Sequence, residues 1–286
     1  MIDSYEEESK REILEKYPEL LNVQKTELEI LLCFDEVCQK NNLCYGIDYG
    51  TLLGAVRHGG FIPWDDDIDV TMPYKDYKKF LNIAEESFDE NYFVQTRDTD
   101  PNYTTWFAKI RKNGTKYIQF HSKDIKMNHG VWIDIFPFFL MPNDKKKRKR
   151  YVKRCLRLIS IMNLKYIPCR FAYPENSLSW KAKDFTRKCI HYILKIIPDS
   201  LIDKKVEKEF TRYEDTDPSE KYYWFGGRTE PLREEELFPY NEIEFEGYMF
   251  KCPNKVEDVL TKRYGDYMKL PPKEERVGHR PIIVEI

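Results

Sequence analysis

The feature that most constrains the fold of this chain is the stretch "WDDDIDV", Trp64 to Val70, in which Asp65, Asp66, Asp67 and Asp69 crowd into five positions. Like charges at adjacent positions repel, so a fold that gathers them loses stability unless something positive lies among them. A metal ion meets that need. In an extended strand side chains alternate, which puts Asp65, Asp67 and Asp69 on one face and Asp66, Ile68 and Val70 on the other. Hard oxygen donors converging from neighbouring positions suit Mg2+ or Mn2+ better than zinc, which prefers His and Cys. The competing readings are a solvated turn and a structural calcium loop, but an EF-type loop needs a Gly and a distal Glu that this run lacks.

A second acid completes the pattern. In "VWIDIFPF" Asp134 stands alone among apolar residues, with Val131, Ile133 and Ile135 alternating against it. A buried lone carboxylate is costly unless it has a partner. If its strand lies beside the Asp67/Asp69 strand, four carboxylates can hold two cations about 4 Å apart, as in phosphoryl-type displacements. The alternative is a carboxylate satisfied by backbone donors. Upstream, Gly50 and Thr51 open a short helix, "GTLLGAVRH", where a phosphate can meet backbone N–H groups and a hydroxyl at the positive end. Thr51 is the expected cap, the Gly59–Gly60 pair the expected end, and Arg57 and His58 close the helix either as ligand contacts or as an offset to its dipole.

At 286 residues, 41% apolar, the chain can bury a large core. Near-balanced charge hides a split: between Lys145 and Lys195 sixteen Lys/Arg face two acids, so this stretch carries +14 and the remainder −16. Seven cysteines without a C-x-x-C pair indicate a reducing, cytoplasmic protein without a zinc finger. The charged N-terminus has no signal-peptide core, and no apolar run is long enough to span a membrane.

Periodicity predicts an amphipathic helix over 24–41, strands at "LCYGIDY", "DDDIDVTM" and "YFVQT", and a helix at "YKDYKKFLNIAEESF". "WFAKIRK" and "TKYIQF" flank Asn113–Gly114 and predict a β-hairpin. "EIEFEGYMFKC" predicts another hairpin, and "NKVEDVLTKRYG" a helix opened by an Asn254/Glu257 capping box. The expected class is α+β: a mixed sheet with flanking helices over 1–140, a basic helical insertion over 141–200, and a C-terminal segment, 201–286, that completes the core and substrate site.

The residues "GTLLGAVRHGGFIPWDDDIDV", "WIDIFPF", "FEG" and "YGDYMKLPP", followed by His279, resemble the LicD family. The resemblance is densest over 45–140 and 244–280 and leaves the basic part uncovered. It implies a nucleotidyltransferase-like fold of the DNA polymerase beta type and Mg2+ dependence. It also implies transfer of phosphocholine or a kindred phospho-alcohol from a CDP-activated donor such as CDP-choline to a glycan hydroxyl, with release of CMP. Asp67, Asp69 and Asp134 are the implied metal ligands, and Asp65 belongs to the same run.

Around this set, Lys109 and Arg111 share one strand face and are candidates for holding the donor diphosphate; an exposed hairpin face would give the same pattern. "YYWFGGR", Tyr222 to Arg228, offers either an aromatic cage for a quaternary ammonium or core packing. His279 enters through the resemblance alone. Asp134 or Asp65 is the expected base. The acceptor is expected to be a glycan or lipid-linked glycan, and the basic helix to meet an anionic membrane surface; nucleic acid is not an expected partner. Two rivals remain open: a D-x-D glycosyltransferase using an NDP-sugar, and a non-enzymatic membrane-docking adaptor.

Overall fold

The computed structural model describes residues 13, 15, 17–169, 177–227, 230–279 and 281–286. Helix α1 (Leu20–Lys40) is followed by the short strand β1 (Gly46–Ile47), helix α2 (Tyr49–His58), strand β2 (Asp69–Pro73) and helix α3 (Tyr74–Ser87). Strands β3 (Tyr92–Gln95), β4 (Ala108–Lys112), β5 (Lys116–Ile118) and β6 (Trp132–Met141) come next. Three helices then run in succession: α4 (Lys145–Tyr166), α5 (Leu178–Lys195) and α6 (Asp199–Phe210). The chain returns to β7 (Tyr222–Trp224), β8 (Leu232–Arg233), the short helix α7 (Glu234–Leu237), the hairpin β9 (Asn241–Phe245) and β10 (Tyr248–Cys252), helix α8 (Val256–Tyr264) and β11 (Ile283–Glu285). The class is α+β, as expected.

The main sheet has the order β1-β2-β6-β4-β3, and β7 and β8 continue it from the far half of β6. Only β2 and β6 run parallel; the other pairings are antiparallel. Both are central, and β6 reads as a nearly unbroken apolar run interrupted by Asp134. Val70, Met72, Ile133 and Ile135 are fully buried. The parallel register sets Asp69 directly beside Asp134, the adjacency the isolated acid of β6 suggested.

Several local expectations are corrected. The Asn113–Gly114 turn exists, with Gly114 at φ +82°, but its strands do not pair. Both edges of β4 are already taken by β3 and β6, so β5 pairs instead with the C-terminal β11. The strand through the acidic run begins only at Asp69. The cap of α2 is Asp48, whose side chain accepts from Tyr49 N (2.9 Å), so Thr51 is not the cap, while Gly59 ends the helix in the left-handed region at φ +70°. Helix α8 has no capping box: Lys255 precedes it, and the Asn254 side-chain amide donates to Glu235 and Phe238 carbonyls.

A second apolar cluster, built on Phe139, Tyr151, Cys155, Met162, Phe210 and Trp224, joins α4 and α6 to the far end of β6. Trp224, from the aromatic "YYWFGGR" run, stacks on Trp106 with parallel rings 6.2 Å apart and is buried, so that residue packs core; Arg228 lies outside the described residues. All seven cysteines are unpaired. Among the described residues no helix is long and apolar enough to cross a membrane.

Candidate active site

Asp69 opens β2, Asp134 lies beside it on β6, and Asp67 sits two residues before Asp69 on the same side of the extended backbone. Each offers an oxygen, and the three oxygens lie within 4.8 Å of one another. Like charges on adjacent strands destabilise a sheet, so the register itself works against folding unless a cation is present. One cation is built in: Lys109, directly across from Asp134 on β4, forms an ion pair with it and lies 4.2 Å from the centre of the Trp132 ring. Burial holds the Lys109 ammonium below its usual range despite Asp134.

One ammonium does not balance the group. Burial first, then repulsion from Asp67, Asp134 and Asp65, pushes Asp69 well above the usual carboxylate range. Asp65 is likewise raised by burial and by Asp67 and Asp66. Asp67 is raised by burial and by Asp134, against the lowering pull of His279. Oxygen-only donors, a spacing that one ion can span and a surplus of negative charge fit a hard divalent cation, and Asp67, Asp69 and Asp134 could hold it.

Asp66 points the other way, although the strand starts only at Asp69, and has a separate role. Tyr117 OH donates to it, as do the His279 backbone N–H (2.9 Å) and ring Nδ1 (2.9 Å). Burial opposes its charge, but these bonds hold Asp66 below the usual range. Against burial, Asp66 and Asp67 in turn push His279 up to about 9. His279 Nε2 lies 3.7 Å from Asp67, so the C-terminal tail, clamped through Asp66, brings an imidazolium to the metal-ligand set. Gly278 permits this approach, because a Cβ there would sit 2.6 Å from the Asp66 carboxylate.

The remaining expected residues divide. Gly50 lines the cleft, and a Cβ on it would lie 2.7 Å from Asp65 Oδ2. Thr51 does not face the cleft: it is buried and its hydroxyl accepts from Asp69 N (2.8 Å), bracing the strand that carries the acid. Arg111 is buried away from the site, donating to Gln95 and to the Gly130 carbonyl (2.6 Å). Arg57 and His58 lie at the opposite end of a ten-residue helix, roughly 11 to 12 Å along its axis from Gly50. There Arg57 Nη1 donates to Tyr267 O (3.1 Å) and Nε to His58 (2.8 Å), a join between α2 and the C-terminal segment.

Three contributors escaped the sequence reading. Asp48 and Arg263 form a buried ion pair behind the cleft. Glu27 of α1 is buried near the run, and burial together with Asp67, Asp66 and Asp65 raises it well above its usual range. Gln24, one turn before, donates to Asp65 O (2.8 Å) and fixes the start of the run. Asp48 was legible as an N-cap residue just before the helix. Glu27 and Gln24 look like ordinary polar positions of an amphipathic helix.

Tyr49, Trp106, Phe107, Phe136, Phe225 and Tyr264 wall the cleft above these acids. A mixed α+β sheet that delivers carboxylates from adjacent strands to the floor of one aromatic-walled cleft defines a protein built around an acid cluster able to bind a cation. Comparison with known proteins narrows the class. The family model for the nucleotidyltransferase domain of LicD, FKTN and FKRP matches residues 42–160. The lipopolysaccharide cholinephosphotransferase LicD of Haemophilus influenzae is 30% identical over 263 residues, covering 88% of this chain and 92% of that protein. Uncharacterized proteins of Rickettsia typhi and Rickettsia prowazekii are 52% identical over 48 residues and 56% over 41, covering 16% and 15% of those proteins. This chain belongs to the LicD family.

Proposed function

We propose that this protein is a metal-dependent transferase that moves phosphocholine, or a closely related phospho-alcohol, from its CDP ester to a hydroxyl of a cell-surface glycan precursor and releases CMP. The observation that carries this reading is the convergence of Asp67, Asp69 and Asp134 within 4.8 Å. The family relationship to a lipopolysaccharide cholinephosphotransferase supports the transferred group. A nucleotidyltransferase-like fold of the DNA polymerase beta type is part of the same proposal, supported by acids carried on adjacent strands of a mixed sheet.

Mg2+ or Mn2+ held by the three carboxylates would neutralise charge on the phosphoryl oxygens and the departing nucleotide. The chain's own groups supply the rest. The positive end of α2 lies at the cleft through Tyr49 and Gly50 and favours an anionic donor. His279 adds a positive charge on the side of Asp67. The aromatic walls suit a quaternary ammonium, which favours choline over ribitol or glycerol. Of the two expected bases, Asp65 fits better, because Asp134 is committed to Lys109. Asp65 would take the proton of the acceptor hydroxyl as its oxygen bonds to phosphorus, while the CMP oxygen leaves with the electrons of the broken bond.

The partners of this reading are CDP-choline or another CDP-alcohol, a glycan or lipid-linked acceptor, and an anionic membrane surface at the cytoplasmic side. The test is a panel of CDP-choline, CDP-ethanolamine, CDP-ribitol and CDP-glycerol with Mg2+ and lipopolysaccharide acceptor, reading CMP. CMP release, greatest with CDP-choline, is expected. Turnover of an NDP-sugar with release of a nucleoside diphosphate, and none of CMP, would replace this reading with a glycosyltransferase.

A further inference from the structure

Helix α5 is turned inside out. Its two buried residues are polar, Asp184 and His191, with Trp180 and Leu194 half-buried on the same face, and Arg187 donates to the Asn163 (2.8 Å) and Ile167 (3.2 Å) carbonyls of the α4 end. Its outward side carries a stripe of large apolar residues. Leu178, Phe185 and Tyr192 are 86%, 69% and 67% exposed, and Ile193 and Ile196 follow at 64% and 83%. The first three are seven residues apart and so form one stripe, the reverse of what a surface helix shows to water. Lys181, Lys188 and Lys195 repeat with the same spacing along the edge of that stripe, and all three are exposed, Lys188 also pairing with Asp184 (2.9 Å).

Contiguous exposed apolar surface marks an interaction site. Helix α4, richer in charge, lacks such a face: Tyr151, Cys155 and Met162 are buried, and Leu156 and Ile159 line the carboxylate cleft. We propose that the outward face of α5 seats the protein on an anionic lipid surface, with the apolar stripe in the headgroup region and the lysine row on lipid phosphates. A second copy of the chain fits less well. A self-complementary contact would set the lysine rows of two +14 stretches against each other. This inference rests on the membrane contact in the proposed function and locates it on a different helix from the one with most charge.

The test is flotation of the full chain with phosphatidylcholine vesicles, with and without phosphatidylglycerol, alongside CMP release from a soluble CDP-alcohol. Wild type should float with the anionic vesicles. Phe185→Ser/Ile196→Ser should lower that partition by about 10-fold or more, and Lys181→Gln/Lys195→Gln by a few-fold with a weaker dependence on salt. CMP release should be unchanged in both, since the positions are exposed and outside the cleft. Loss of all CMP release with vesicle binding intact would sink the transferase reading and support this surface. Equal flotation on neutral and anionic vesicles, full binding by the serine variant, or a wild-type dimer that the serine variant turns into a monomer would overturn it.

Discussion

Asp48 and Asp69 are hydrogen-bonded neighbours, Asp48 N donating to Asp69 O (3.0 Å), yet their carboxylates sit in opposite situations. Asp48 is fully buried and fully used. Both terminal guanidinium nitrogens of Arg263, Nη1 and Nη2, donate to it, as do Thr71 Oγ1 (3.2 Å) and Tyr49 N (2.9 Å). Arg263 is itself held over the Tyr49 ring at 4.1 Å. On the cleft side lie Asp65, Asp67, Asp69 and Asp134, with Asp66 turned away behind them, and the five share the charges of Lys109 and His279 among the described residues. A buried pair with every lone pair used holds structure and has nothing left to offer a ligand. A buried group with surplus charge of one sign holds protons until a cation replaces them. The same end of the sheet therefore carries a closed charge site and an open one on hydrogen-bonded neighbouring segments.

If this contrast is right, neutralising the two sites gives opposite signatures. Asp69→Asn and Asp67→Asn should lower metal-dependent CMP release by about 10^3-fold or more, while metal-free melting temperature stays level or rises as repulsion is relieved. Near-normal release from either variant would remove the acids from the metal site. Asp48→Ala should do the reverse. It strands the Arg263 guanidinium without its partner, and chemical denaturation should read a loss of about 3 kcal/mol or more. If Asp48→Ala melted like wild type, the pair would be no structural anchor.

Metal itself sharpens the comparison. Mg2+ at about 100 times its Kd should stabilise the wild type by about 2.7 kcal/mol, raise the melting temperature of Asp48→Ala by a similar increment, and leave Asp69→Asn unmoved. An equal Mg2+ effect on all three would mean that the ion binds elsewhere. The smallest effect is expected at Gly50, where alanine favours the helix by up to about 1 kcal/mol but its Cβ displaces Asp65. Turnover should fall by roughly 10-fold without loss of stability. A variant as active as wild type would show that the Asp65 position does not matter to the reaction.

How much of this was legible follows from the range of each interaction. The alternation of Asp65 to Val70 fixed which acids turn to the cleft and which to the core, because side-chain direction in extended backbone is local. The lone Asp134 pointed to a strand partner, since an isolated acid in an apolar strand has few other solutions. Glycine at 59 and the Glu246–Gly247 turn of the β9–β10 hairpin were set by φ angles that neighbours do not alter. Other placements depended on which edges and faces were already filled. The β5 strand left its predicted hairpin because β3 and β6 occupied both sides of β4. Arg111 and Lys109 share a strand face, but only Lys109 has an acid across from it, so one serves the cleft and the other packs. Thr51 became a brace, and Arg57 and His58 a distant join, through where α2 lies relative to β2 and the C-terminal tail. The sequence by itself determined the chemistry of the acidic run and suggested a strand partner in β6, which the register then supplied. The tertiary structure alone decided which cations meet it, through Lys109 and His279, and that α5 turns its apolar stripe outward, because those outcomes depend on contacts between segments up to 213 residues apart.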